Sequence, residues 1–448
     1  MKNRRDFLKN VFGVGAGIVA APALLSAQHQ HRTSGGSTSA QHPGKHSEHV
    51  AGSPVPVDSP DVPNLPFELD GGVKVFRLVA EPVKRRLIPG RDMEVWGYNG
   101  SCPGPTIQVN EGDRVRIIFE NRLPESSTIH WHGLEVPVVM DGVPYISQKP
   151  VAPGSKYVYE FTLHQAGTFF YHSHGAMQEM MGMIGLFVIH PRKNWTPRVD
   201  HDFGIVLQEW AILPNSNVPN TANMEFNWLT FNGKAGPDTT PLVVRHGSRV
   251  RIRLVNLGMD HHPIHLHGNT FFVTGTEAGR QPEATWGPGN TVLVGVAQAR
   301  DIEFDARYVG DWMLHCHLPH HMMNSMSDLI GDRMMTTMRL DDKDALEQMQ
   351  TFADNIKVQH IHHAPIAPNA AKVPGFPQDA FMEMGMDKAV YRPENYGLPP
   401  NWSANMMGMM TVVRVVPDEL YETIMKMKAR GKSEPPQQPE HTHEHPHG

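Results

Sequence analysis

The chain has 448 residues, about three domains' worth at the usual ~150 each, although β-barrels and sandwiches stretch that figure, so a sizeable core is available. With 40% hydrophobic residues, 19% charged residues and a formal net charge of -6, the composition excludes disorder throughout and a basic nucleic-acid-binding surface. Cys102 and Cys316, the two cysteines, form no CxxC and exclude a disulfide framework, while 28 His and 26 Met, imidazole and thioether ligands, direct attention to transition metals and to copper first.

The first segment reads as an address. Asn3-Arg4-Arg5-Asp6-Phe7-Leu8-Lys9 precedes the uncharged run from Val11 to Leu25, which is too short for a comfortable membrane span. Residues 1–27 resemble a twin-arginine signal with cleavage near Ala27, so a periplasmic or otherwise exported protein without a stable membrane anchor is expected. Residues 28–66 are rich in Gly, Ser, Pro and His with little apolar periodicity, and read as a flexible linker.

Residues 67–192 are the first predicted domain and hold one copy of an internal repeat. Tyr98-Asn99-Gly100, Pro105-Thr106-Ile107, Gly112-Asp113-Arg114-Val115-Arg116-Ile117 and Asn121 return in the second predicted domain, 202–330. There they read Phe231-Asn232-Gly233, Pro241-Leu242-Val243, Gly247-Ser248-Arg249-Val250-Arg251-Ile252 and Asn256. Each Asn leads nine residues on to an HxHG motif, His130-Trp131-His132-Gly133 and His265-Leu266-His267-Gly268. A second motif follows in each copy: Tyr171-His172-Ser173-His174, 42 residues past His130, and Leu314-His315-Cys316-His317, 50 past His265.

Val109 to Phe119, Val158 to Leu163, Gly185 to Ile189, Val250 to Val255 and Thr291 to Val296 read as short strands, Val/Ile/Phe-rich and bounded by Gly, Pro, Asn and Asp. The fold class is all-β, of Greek-key sandwich or barrel type. A long Met-rich insertion, 331–405, separates His321 from a closing strand at 408–416. Residues 417–448 read as a terminal helix, Pro417 to Arg430, and a His-rich tail.

Residues i and i+2 of a strand face the same way, so each HxH directs two imidazoles at one metal cluster. One such pair is more often a core or surface feature; four in duplicated positions are not. Cys316, flanked by two cluster histidines, has His262 upstream, His321 downstream and Met326 five residues beyond. These supply the His2Cys set with weak axial Met of a blue-copper electron-transfer site. Met326 has the ordinary spacing for the axial thioether and Met409 the ordinary context before a strand; Met326 is preferred.

Taken in order, His130-Trp131-His132-Gly133, Tyr171-His172-Ser173-His174, His262-Pro263-Ile264-His265-Leu266-His267-Gly268 and His315-Cys316-His317-Leu318-Pro319-His320-His321 resemble the four copper motifs of the multicopper oxidases. The resemblance covers about Phe67 to Met326. It implies two cupredoxin-like Greek-key β-barrel domains and about four coppers per chain, one type 1, one type 2 and two type 3. It also implies reduction of O2 to water with electrons from Cu(I) or a phenolic donor, in copper tolerance. By position, His262, Cys316, His321 and Met326 would hold the type 1 copper, and His130 and His265 the type 2 copper. His132, His172, His174, His267, His315 and His317 would hold the type 3 pair. Asp141, before Gly142, stands where similar oxidases carry an acid that guides protons to oxygen.

Aligned on the HxH motifs, His262, Cys316 and His321 face Ser127, Ser173 and Gln178, and Met326 faces Met183, so the first domain is expected to bind no type 1 copper. The 88 residues from His174 to His262 leave no room for an additional cupredoxin domain. For two-domain relatives the resemblance implies a head-to-tail homotrimer, whose ring closes when the rotation allows. Two other classes compete. A copper-sequestering protein without turnover would account for the Met-rich loops and His-rich tails; a copper nitrite reductase is opposed by the complete set of eight histidines.

Overall fold

The computed structural model describes residues 54–213, 216–322 and 386–430. The signal, residues 28–53 of the linker, Met326, residues 331–385 of the insertion and the tail from 431 lie outside the described residues.

The first barrel is built from β1 (Phe67–Asp70), β2 (Val73–Ile88), β3 (Arg91–Tyr98), β4 (Gly104–Asn110), β5 (Arg114–Asn121), β6 (Ile129–His132), β7 (Lys156–Thr162), β8 (Gly167–Ser173) and β9 (Ile184–His190), with a short helix α1 (Ala176–Met180) between the last two. One sheet runs β1-β2-β5-β7 with β3 on β2, and the other runs β4-β9-β8-β6. β5 shows why these residues form a strand. Val115, Ile117 and Phe119 alternate into the core while the residues between them meet solvent.

The second barrel comprises β10 (His201–Trp210), β11 (Trp228–Phe231), β12 (Leu242–Arg245), β13 (Arg249–Asn256), β14 (His262–Leu266), β15 (Phe271–Thr276), β16 (Gly279–Arg280), β17 (Pro288–Gly289), β18 (Thr291–Val294), β19 (Gln298–Asp305), β20 (Gly310–Cys316) and β21 (Met410–Val416). Its sheets run β11-β10-β13-β19-β15-β16, with β17 on β15, and β12-β21-β20-β14-β18. The strand order of the first barrel recurs: β3-β2-β5-β7 returns as β11-β10-β13-β19, and β4-β9-β8-β6 as β12-β21-β20-β14. The parallel pairs recur too, β2 with β5 as β10 with β13, and β4 with β9 as β12 with β21.

One predicted strand is corrected. Val109 to Phe119 is not continuous, because Glu111-Gly112-Asp113 turns the chain between β4 and β5, with Asp113 N–H donating to Asn110 O at 3.0 Å and Asn110 N–H to Asp113 Oδ2 at 2.6 Å. Both flanking strands send apolar side chains into one core, so their alternation reads through the turn.

β8 and β9 are buried on both faces. Phe169, Tyr171, Phe187 and Ile189 fill the first barrel, whereas Phe170, Ile184, Leu186 and Val188 pack against Val206, Val255 and Ala299 of the second. A buried polar seam reinforces this contact. Arg253 donates to both oxygens of Asp202 at 2.8 Å and to Thr168 Oγ1 of β8 at 2.6 Å, and Thr168 donates to Asp301 at 2.6 Å. Pairing matters there, because a guanidinium buried alone would be strongly destabilising.

Residues 386–405 lie beside the second barrel, where Arg392 pairs with Asp238 and Asp61. β21 then inserts between β12 and β20. Helix α2 (Asp418–Ala429) follows and buries Ile424 against Val243 and Val416. No helix among the described residues is long and apolar enough to cross a membrane.

Candidate metal centres

β6 and β8 place His130 directly opposite His172, and β14 and β20 place His265 directly opposite His315. His132 closes β6, while His174, His267 and His317 fall just past their strand ends. Two quartets result. His130 lies 5.7, 5.3 and 5.5 Å from the rings of His132, His172 and His174. His265 lies 4.7, 5.6 and 5.4 Å from those of His267, His315 and His317. Among the described residues, ring contacts join no histidine of one quartet to the other. The first quartet belongs to the sheet that packs on the second barrel, and the second to the far sheet of that barrel. His174, His267 and His317 are exposed, so each quartet is open to solvent.

Backbone carbonyls orient the rings. Nδ1 of His130, His265, His172 and His315 lies 2.8, 2.7, 2.8 and 2.9 Å from the carbonyl of Asp141, Asn290, Ser173 and Cys316 respectively. An Nδ1–H bonded in this way leaves Nε2 with its lone pair for a metal. The donor set fits a cation. Among the described residues His172 Nε2 is buried without a hydrogen-bond partner, and His267 Nε2 and His315 Nε2 face each other at 3.0 Å. Burial lowers the pKa of His130, His267 and His315 and takes His132 to about 4, which keeps these imidazoles neutral.

Asp141 follows a single 3-10 turn, Val138–Met140. Its carbonyl holds His130 and its Oδ1 lies 3.3 Å from the same Nδ1. Gly142 lets the loop pass beneath β6: its φ is +80°, and a Cβ there would come 1.7 Å from Ile129 O. Sequence reasoning missed a second carboxylate, Glu179 on α1, whose Oε1 lies 3.2 Å from His172 Nδ1. Its only sequence signal is its place five residues after His174.

The thiolate site is separate. His262 begins β14, Cys316 ends β20, and His321 lies in the 3-10 turn Pro319–Met322. The two Nδ1 atoms are 3.2 Å apart, and Cys316 Sγ is 3.8 Å from His262 Nδ1 and 3.4 Å from His321 Nδ1. All three side chains are buried, and burial pushes the thiol up to about 12 and His321 down to about 3. Two imidazoles and one sulfur converging on a point fit a soft or borderline transition metal. Cys102 has no such company; it is buried beside Trp210 in an apolar cluster.

The backbone around this site repeats. Met409, fully buried, donates its N–H to His321 O at 2.9 Å and accepts from Cys316 N–H at 3.0 Å. Met183 donates to Gln178 O at 3.2 Å and accepts from Ser173 N–H at 3.1 Å. Met183 is thus the backbone counterpart of Met409, whereas Met326 lies outside the described residues. Ser127, Ser173 and Gln178 do meet: Ser173 Oγ is 3.3 Å from Ser127 Oγ and donates to Gln178 Oε1 at 2.6 Å. Where the second barrel has imidazoles and a thiol, the first has a neutral hydrogen-bonded cluster. Sequence reasoning also missed the carboxylates beside the type 1 candidates, Glu209 at 2.8 Å from His262 Nε2 and Asp260 at 3.5 Å from His321 Nε2. Glu209 lies on β10, 53 residues from its partner, beyond any motif.

Comparison with known proteins decides the family, because multicopper oxidase profiles match residues 81–194 and 212–329. The chain belongs to the multicopper oxidase family. This multicopper oxidase is 34% identical over 151 residues to copper resistance protein A of Pseudomonas syringae pv. tomato, a match covering 34% of this chain and 25% of that one. It is 34% identical over 177 residues to laccase-1 of Fomitopsis schrenkii, covering 36% and 33%. It thus spans about a quarter to a third of the length of these curated relatives. The solved blue copper oxidase from Nitrosomonas europaea is similar at 30% identity and a TM-score of 0.52, with 56% of this chain and 81% of that one covered.

Proposed function

We propose that this multicopper oxidase takes single electrons from Cu(I), or from a small phenolic donor, and delivers four of them with four protons to O2, forming two waters, in copper tolerance. The observation that carries this reading is the linkage His315-Cys316-His317, in which one tripeptide joins the thiolate site to the second quartet. His262, Cys316 and His321 are assigned to the type 1 copper. His130 and His265 are assigned to the type 2 copper, and His132, His172, His174, His267, His315 and His317 to the type 3 pair. Met409 is preferred to Met326 as the axial thioether, because it shares the backbone bonds of Met183. Bound copper would supply one-electron chemistry at the thiolate site and dioxygen chemistry at the cluster.

The chain's own residues contribute orientation, proton handling and donor choice. Asp141 steadies His130 through its carbonyl and offers its carboxylate, one-third exposed, as a proton carrier between solvent and the cluster. Met313, Met322, Met406 and Met410 gather with Trp402 and Val412 in one cluster, in which Met322 is the residue after His321. Thioethers favour Cu(I), which supports a cuprous donor. The open faces of the quartets support a head-to-tail homotrimer in which the first quartet of one subunit meets the second quartet of its neighbour. The basic and apolar N-terminal stretch supports export.

Copper-loaded protein is expected to consume one O2 for every four Cu(I) oxidised, as read with an oxygen electrode. Cys316→Ser should abolish that uptake and the strong thiolate absorption while retaining the cluster coppers. Copper binding without oxygen uptake in the unmodified protein would refute the oxidase reading in favour of sequestration.

A further inference from the structure

Glu209 is the most deeply placed carboxylate at the thiolate site, its side chain fully buried. Its Oε2 is 2.8 Å from His262 Nε2, and its Oε1 accepts the backbone N–H of Met259 and, at 2.7 Å, that of Asp260. The described structure gives it no lysine or arginine partner. A buried carboxylate paired only with an imidazole and two amides is costly to maintain, so its placement at the thiolate site calls for a function.

The internal duplication supplies a control. Ala80 pairs with Asn121 across β2 and β5, and Leu207 pairs with Asn256 across β10 and β13. Two residues further along the first strand of each pair stand Pro82 and Glu209, facing Trp96 and Leu229. The loops after the two asparagines match as well. Asn256 accepts from Gly258 N–H at 2.8 Å and donates to Asp260 O at 2.8 Å, while Asn121 accepts from Leu123 N–H at 3.0 Å and donates to Glu125 O at 2.9 Å. The copy with the thiolate site therefore has Glu209 and Gly258, and the copy without it has Pro82 and Leu123. The glycine is part of the device, because a Cβ on residue 258 would lie 2.4 Å from Glu209 Oε2.

We propose that Glu209 is a positioning residue of the type 1 site. It accepts the Nε2–H of His262, which fixes Nδ1 as the bare nitrogen facing Cys316 and His321. Its buried negative charge also stabilises the oxidised metal over the reduced one, lowering the reduction potential. Asp260 lies near the other imidazole but is 42% exposed, so water screens its charge. The inference rests on assigning the type 1 copper to His262, Cys316 and His321.

The test uses the full chain, copper-loaded for the potential and copper-binding readouts and copper-free for the His262 tautomer. Glu209→Gln keeps the side-chain shape and one acceptor but removes the charge. The blue absorption should persist while the Cu(II)/Cu(I) preference shifts about tenfold toward Cu(I), which for one electron is a rise of about 59 mV. Gly258→Ala leaves Glu209 in place but displaces its carboxylate, and should weaken type 1 copper binding by about 10-fold. In copper-free protein labelled with 15N-histidine, His262 should be the Nε2–H tautomer, and Gly258→Ala should disturb it. An unshifted potential in a folded Glu209→Gln protein would overturn the proposal. If that variant does not fold, an undisturbed His262 tautomer in Gly258→Ala would overturn it. Absence of any blue copper from the unmodified protein would instead refute the type 1 assignment on which the inference rests.

Discussion

Met409 gains its position from backbone hydrogen bonds to both halves of the thiolate site, one to His321 and one from Cys316. Replacing it with leucine conserves volume and should cost less than about 1.5 kcal/mol of stability, as read by thermal melting. The same Met409→Leu change should raise the type 1 potential and alter the visible spectrum, since a weak axial ligand tunes a blue-copper site. Met326→Leu should alter neither; a spectral change in that variant alone would restore Met326 as the ligand. The HxH motifs, Cys316 and the pairing of Ser127, Ser173 and Gln178 were legible because they keep fixed spacing in the chain. At the axial methionine, spacing points to Met326 and context before a strand to Met409, because the insertion 331–405 separates His321 from the closing strand. Glu209 left no signature, because its contact arises only when strand packing brings together segments 53 residues apart, and Glu179 left only its place five residues after His174.

At the scale of the element, alternation revealed β7, β9, β13 and β18 and left most other strands of both barrels unmarked, while the closing strand and the terminal helix were legible beside it. It failed where two strands share a core, as in the turn at Glu111-Gly112-Asp113, and it could not show which charged residues on β10, β13 and β19 would be buried. Burial alone would raise Asp202 and Glu303, but Arg253 and Arg251 hold Asp202 below the ordinary carboxylate range, and Arg251 and Arg280 bring Glu303 to about 2. A carboxyl depressed in the folded state stabilises the fold above its ordinary pKa and loses that contribution as the pH falls toward the depressed value. For Glu303 the window runs from its ordinary 4.5 down to about 2, and the loss across it is on the order of 3 kcal/mol. Asp301 acts in the opposite sense, because burial raises its pKa, and acidification relieves a strain there. Acid unfolding followed by tryptophan fluorescence should therefore show a stability loss between these limits. Glu303→Gln should flatten it, and an unchanged acid profile in that variant would remove Glu303 from the account.

At the scale of the molecule, two open quartets on different sheets pose a problem that the described residues of one chain do not solve by ring contacts of their own. Val138, Val139, Tyr145 and Ile146, at 66%, 52%, 85% and 81% exposure, flank the Asp141 loop near the first quartet, an apolar surface suited to burial against another subunit. A head-to-tail ring gives a prediction that no single-chain site shares. One variant loses the first quartet through His132→Ala and His172→Ala, and another loses the second through His265→Ala and His317→Ala. Each alone should reduce no oxygen. When subunits exchange, every mixed ring of three contains one interface where an intact first quartet meets an intact second quartet, beside an intact Cys316. Random exchange of equal amounts makes about three rings in four mixed, so oxygen uptake should recover to about a quarter of the unmodified level. Light scattering must show trimers throughout, and recovery should track the exchange time. Exchanged trimers that remain inactive, or an active monomer of the unmodified chain, would show that the oxygen-reducing site does not span two subunits.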